Sequence, residues 1–257
     1  YPTRGFYAVG KLYDDDAFAT DIAHAYNNWL AEFCADYPDR LFGSGLVHPQ
    51  AIDAAVQEAR RMKEDLEFKS LYLRPNPVRG RNWNNPAYNP LWAECERLDL
   101  PIAFHEGWPC QLPVAAGERF DGRHEDLWLT EHVLCHPVEM MYALVCMIAG
   151  GVLERFPRLR VAFLEANCSW VPYLLWRLDE HYEWMGAEQP DLDRKPSEYF
   201  KRQCFVSVEC DEWPVRYVED AGYGHTLVFS TDYPHPDAKY PHAVNSFLEL
   251  KLPEEAK

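Results

Sequence analysis

The stretch Leu100-Pro101-Ile102-Ala103-Phe104-His105-Glu106 decides the reading of the fold. Its apolar run suits a strand buried on both faces, as a parallel sheet covered by helices requires. A histidine and a glutamate stand at the strand's exit. The arrangement repeats along the chain: residues 68–73 (FKSLYL) lead to Arg74, 159–164 (LRVAFL) to Glu165, Cys204–Val208 (CFVSV) to Glu209, and 226–230 (TLVFS) to Asp232. Residues 41–47 (LFGSGLV) complete six candidate strands. Helical patterns separate them over 51–65, 86–98, 137–156 and 170–184. Pro86 and Pro137 suit a first helical turn, and Pro157 a helix stop.

Six β/α units fit either a doubly wound sheet or most of a barrel. A doubly wound nucleotide-binding sheet needs a glycine-rich turn after its first strand. Only Gly43 and Gly45 come near, inside a strand candidate, and there is no phosphate-binding loop. A barrel instead sets chemically able side chains at the end of strand after strand, as this pattern does. The expectation is one α/β barrel domain over residues 1–257, with residues 106–135 as an inserted cap.

Composition narrows the partners. The 257 residues are 47% hydrophobic and 26% charged, which are globular proportions. The formal net charge of −16 argues against nucleic acid, whose phosphates require a basic footprint. No apolar run approaches the ~20 residues that span a bilayer, so no membrane partner is expected. The eight cysteines contain no C-x-x-C pair. They read as free thiols of a cytoplasmic protein.

The strand tips supply the candidate chemistry. His105 can ligate a divalent metal through one ring nitrogen while the other is held, or it is a satisfied core histidine. Asp232, in Ser230-Thr231-Asp232-Tyr233-Pro234-His235, can bind a cation and accept a proton, or it forms a turn before proline. Glu165 ends the most apolar strand, where a carboxylate must be paired, protonated or metal-bound. It reads as general acid/base, ligand, or ion-pair partner of a residue such as Arg177. His132 and His136 have the i,i+4 spacing of two ligands on one helix face, but Pro137 places His136 at or before a helix start. His136 is therefore a candidate for the substrate pocket. Arg74 suits a substrate carboxylate or a neighbouring one. Trp108 and Trp128 are candidates for a pocket wall, whereas Trp92, Trp170, Trp176 and Trp184 read mostly as core or interface packing. His235 suits the substrate, the orientation of a ligand, or merely a surface turn.

At this point the chain resembles the amidohydrolase-related family whose best-known member is aminocarboxymuconate semialdehyde decarboxylase. The matching stretches are AYNNW from Ala25, YPDR from Tyr37, PIAFHEG from Pro101, GGVLERFP from Gly150, WVPY from Trp170 with Arg177-Leu178-Asp179, and STDYPH from Ser230. The resemblance implies a (β/α)8 TIM barrel of the metal-dependent hydrolase type, with the cap between strand five and its helix. It also implies one divalent ion, zinc or manganese, at the C-terminal mouth, with His105 and Asp232 as ligands, and a homodimer. In the family a first strand ends in a metal-binding motif, often H-x-H. Residues 41–47 match strand three, so the chain is expected to be a piece of a longer one, incomplete at both ends.

Decarboxylating members carry a histidine near the end of strand six, where this chain has Glu165. The expected activity is therefore hydrolysis of a small carboxylated or carbonyl-bearing cyclic or unsaturated substrate by metal-activated water, with Asp232 or Glu165 moving the proton. The alternative is non-oxidative decarboxylation by the same site. A non-catalytic barrel is the third reading.

Overall fold

The computed structural model describes residues 15–107, 128–186, 192–236 and 238–254. The elements follow in the order α1 (Asp16–Ala35), β1 (Ser44–Leu46), α2 (Ile52–Glu64), β2 (Ser70–Leu73), α3 (Asn89–Arg97), β3 (Ile102–His105) and α4 (Trp128–Ile148). Next come α5 (Val152–Arg155), β4 (Val161–Leu164), α6 (Val171–Met185), α7 (Pro196–Gln203), β5 (Cys204–Val208), α8 (Val215–Asp220), β6 (Leu227–Phe229) and α9 (Ala243–Leu248). The six strands form one sheet in chain order, every neighbouring pair parallel. Such an order has no reversal, and so no switch point of the doubly wound kind. Parallel pairing also brings the C-terminal ends of all six strands to one edge.

β5 has the span expected from sequence, and the other strands are shorter. The surplus apolar residues pack without joining the ladder. Gly43 and Gly45 are packing glycines: a Cβ at Gly45 would lie 2.5 Å from Met62 Sδ, and one at Gly43 2.4 Å from the Phe68 ring. An aromatic cluster fills the space between the sheet and its helices. Trp83 lies 4.9 Å from Tyr88, 6.0 Å from Trp92 and 5.5 Å from Phe104 between ring centroids, and Phe104 stacks on Phe163 at 5.9 Å. Trp92 and Trp170 are buried as expected, but Trp176 and Trp184 stand exposed on α6 and are not core residues.

The helix expected over 137–156 is corrected in two places. α4 begins nine residues before Pro137, which lies inside it. An interior proline lacks a donor for the carbonyl four residues back. Here that residue is Val133, on the exposed side of the helix, where water can replace the missing bond. The inward face, with Cys135, Met140, Ala143, Leu144 and Met147 all buried, keeps the helix continuous by packing. The helix then stops at Gly150-Gly151, where Gly151 takes a left-handed φ of 73°. Residues 128–135, at the end of the expected cap, are thus helical, and residues 108–127 lie outside the described residues. Among the described residues no helix is long and apolar enough to cross a membrane.

Candidate active site and metal centre

β3, β4 and β6 deliver His105, Glu165 and Asp232 to the same end of the sheet. His105 Nε2 lies 3.0 Å from Glu165 Oε2, and His136 Nε2, from α4, lies 3.7 Å from the same oxygen. Ligand atoms of Glu165, Asp232 and His235 lie within 4.8 Å of one another. His235 Nδ1 is 3.3 Å from Asp232 Oδ2. Four side chains, His105, His136, Asp232 and His235, therefore gather around the Glu165 carboxylate.

The backbone is bent to achieve this. Glu165 and Asp232 adopt left-handed φ values of 55° and 51°, as does Asn167 at 57°. Such conformations cost on the order of 1–3 kcal/mol and persist only where the surroundings enforce them. The Glu165 N–H donates to Ser207 Oγ on β5 at 2.8 Å. The Glu212 carboxylate, buried after β5, accepts the N–H groups of Cys168 and Ser169 at 2.9 Å each and that of Glu209 at 3.2 Å. The loops after β4 and β5 are thereby tied together.

Electrostatics set the histidines. Burial pushes the His105 imidazole down to about 4 and the His136 imidazole down to about 3, so both are neutral at neutral pH. His105 Nδ1 lies 2.6 Å from the Glu106 carbonyl and donates its single proton there. Its Nε2 then presents a lone pair to Glu165 Oε2 at 3.0 Å. Two acceptors at that separation need a cation or a proton between them. The carboxylates of Glu165 and Asp232 with the His235 imidazole suit zinc or manganese by donor chemistry, and the His105 lone pair adjoins this group through Glu165. The residues present fit such an ion.

The sequence profile of the amidohydrolase family matches residues 7–257. The chain belongs to the amidohydrolase family. It is 27% identical over 223 residues to 2-amino-3-carboxymuconate-6-semialdehyde decarboxylase of Dictyostelium discoideum, a match covering 85% of this chain and 58% of that protein. It is 28% identical over 248 residues to gamma-resorcylate decarboxylase of Rhodococcus jostii (strain RHA1), covering 92% and 72%. Among solved structures, 5-carboxyvanillate decarboxylase of Novosphingobium aromaticivorans, with bound manganese, superposes at a TM-score of 0.75 and 19% identity, covering 93% and 67%. The fold is the α/β TIM-barrel type of this family.

Within this amidohydrolase the structure brings together His105, Glu165, Asp232, His136 and His235. Arg74 is paired: its Nη2 lies 2.5 Å from Oε1 of Glu106, which is wholly buried. Arg177 is exposed on α6 and forms no ion pair among the described residues, so Glu165 faces imidazoles instead. Trp108 lies outside the described residues, as does the side chain of Trp128. His132 and His136 share one face of α4, their ring centroids 4.9 Å apart, which the reading of Pro137 as a helix start had denied. Sequence reasoning also missed His48, buried just after β1 with Nε2 2.9 Å from Asp16 Oδ1. Its place after an apolar run was the available signal.

Proposed function

We propose that this amidohydrolase is a metal-dependent, non-oxidative decarboxylase acting on a small carboxylated aromatic or unsaturated acid. The observation that carries the reading is Glu165 at the C-terminal end of the sheet, its carboxylate facing the His105 lone pair on one side and grouped with Asp232 and His235 on the other. The relatives named above are decarboxylases. They support the alternative over the hydrolytic expectation, which rested on Glu165 standing where decarboxylating members have histidine.

His105 and Asp232, with ligands contributed elsewhere in a full-length protein, would hold one manganese or zinc ion. When bound, such an ion would supply Lewis acidity toward a substrate oxygen. Asp232 or Glu165 holds the proton and delivers it to the substrate carbon. The bond from that carbon to the carboxylate breaks, carbon dioxide leaves, and the electron pair left on carbon takes the proton. His136 and His235 face the same space and would orient the substrate's polar groups, with Trp108 as a pocket wall. Arg74 acts on the substrate end of the site, by direct contact or through Glu106. We also infer a homodimer, from the family resemblance, and a cytoplasmic location, in keeping with seven described cysteines that are all free.

The test uses the full-length protein with manganese and a panel of hydroxylated benzoates, including 2,6-dihydroxybenzoate, with product followed by chromatography. Release of carbon dioxide, and loss of both manganese binding and turnover in His105→Ala, is the expected result. Cleavage of esters or amides without decarboxylation, or an unchanged His105→Ala enzyme, would overturn the reading. Light scattering that finds only monomer would remove the homodimer.

A further inference from the structure

We infer that Arg74 and Asn76 are positioning residues: they clamp the Glu106 carboxylate so that the Glu106 carbonyl holds the His105 ring in one tautomer, its Nε2 lone pair turned to the acidic cluster. The inference rests on the metal-dependent reading above.

Glu106 is wholly buried, yet both of its carboxylate oxygens are held. Oε1 accepts from Arg74 Nη2 at 2.5 Å and from the Gly107 N–H at 2.8 Å, and Oε2 accepts from Asn76 Nδ2 at 2.8 Å. The clamp joins the turn after β2 to the turn after β3. It fixes the peptide whose carbonyl oxygen lies 2.6 Å from His105 Nδ1. A neutral imidazole carries one N–H, so a proton committed to that carbonyl leaves Nε2 as an acceptor. Groups that orient a ligating histidine in this way commonly change metal affinity by about 10–100-fold when removed. A buried ion pair is also a poor stabiliser compared with apolar side chains of similar volume. Its presence beside His105 is better explained by orientation than by stability.

The variants follow from that difference. Arg74→Met alone strands a buried carboxylate and is expected to lower the melting temperature. Arg74→Met/Glu106→Leu removes both charges, and is expected to melt within a few degrees of the wild type. If the clamp positions His105, manganese affinity of the double variant, read by electron paramagnetic resonance titration, falls about 10–100-fold. In the metal-free protein, 15N spectra of the histidines then show His105 divided between two tautomers. A double variant with wild-type manganese affinity and an undivided His105 signal would overturn the inference. Should the double variant fail to fold, Asn76→Leu leaves the ion pair in place and is expected to weaken manganese binding about threefold to tenfold, as loss of one hydrogen bond allows. Unchanged binding there would also overturn it. If the wild type itself binds no manganese, the metal-dependent reading falls, while the metal-free tautomer signal still decides the clamp.

Discussion

Glu94 and Glu165 are both glutamates set into the β/α framework, and their surroundings are opposite. Glu94, on α3 and facing Arg60 of α2, accepts from Arg97 Nη2 at 2.7 Å, Arg97 Nε at 3.1 Å and Arg60 Nε at 2.9 Å. The Arg97 guanidinium above all, with Arg60 beside it, holds this carboxyl at about 2, well below the usual range. Glu165, beyond β4, faces His105 and His136, which burial keeps neutral, and its backbone sits at a positive φ. The outer site fixes charge, whereas the inner one keeps imidazole lone pairs available. That difference separates a site built for stability from one built to accept a cation or pass on a proton.

The largest effect expected at the inner site is on chemistry. Asp232→Asn keeps a residue that tolerates left-handed φ but removes an anionic ligand and one of the two carboxylates proposed to hold the proton. Turnover should fall by about a thousandfold, within the range of general acid–base contributions, with the melting temperature unchanged. A variant retaining more than a tenth of the wild-type rate would remove Asp232 from the reaction.

The outer site should behave in the opposite manner. Glu94→Gln leaves Arg60 and Arg97 without their carboxylate, but both arginines are half-exposed and hydrated. The loss in stability should therefore be about 1–2 kcal/mol, below that of a fully buried broken pair. Denaturant unfolding measures it, and manganese binding and turnover should not change. Glu165→Gly sharpens the comparison, because glycine relieves the left-handed backbone. It should raise stability by about 1 kcal/mol while abolishing turnover.

Much of this arrangement is legible in the sequence, because strands buried on both faces read as unbroken apolar runs and the residue after each run marks its tip. His105, Glu165 and Asp232 are visible for that reason. Less visible is which of two adjacent tip residues faces the mouth. His105 and Glu106 are neighbours whose side chains diverge, and only coordinates show that Glu106 turns inward to Arg74 and Asn76. The helix around His132 and His136 was hidden by Pro137, since a local rule against interior proline takes no account of the packing that overrides it. Exposed Trp176 and Trp184 show the converse: an aromatic at helical spacing does not by itself report burial.

The smallest expected effects come from acid and from the rim of the outer network. The folded Glu94 carboxyl lies near 2, below its ordinary value of 4.5, so the unfolded chain binds this proton first as pH falls. Stability from Glu94 is therefore fully present above about pH 4.5 and is lost as pH approaches 2. The gap between wild type and Glu94→Gln should close across that window, and a gap still open at the acid end would mean that Glu94 acts by packing. Beyond it, Arg97 Nη2 also reaches Glu64 Oε1 at 3.1 Å, with both side chains about half-exposed. Water competes for both groups there, and holding two long side chains together costs entropy. Glu64→Ala should thus change unfolding free energy by less than about 0.5 kcal/mol, with the small difference disappearing in high salt. A larger loss would show that the Arg60–Glu94–Arg97–Glu64 network acts as one unit, which a double-mutant cycle with Glu94→Gln would measure directly.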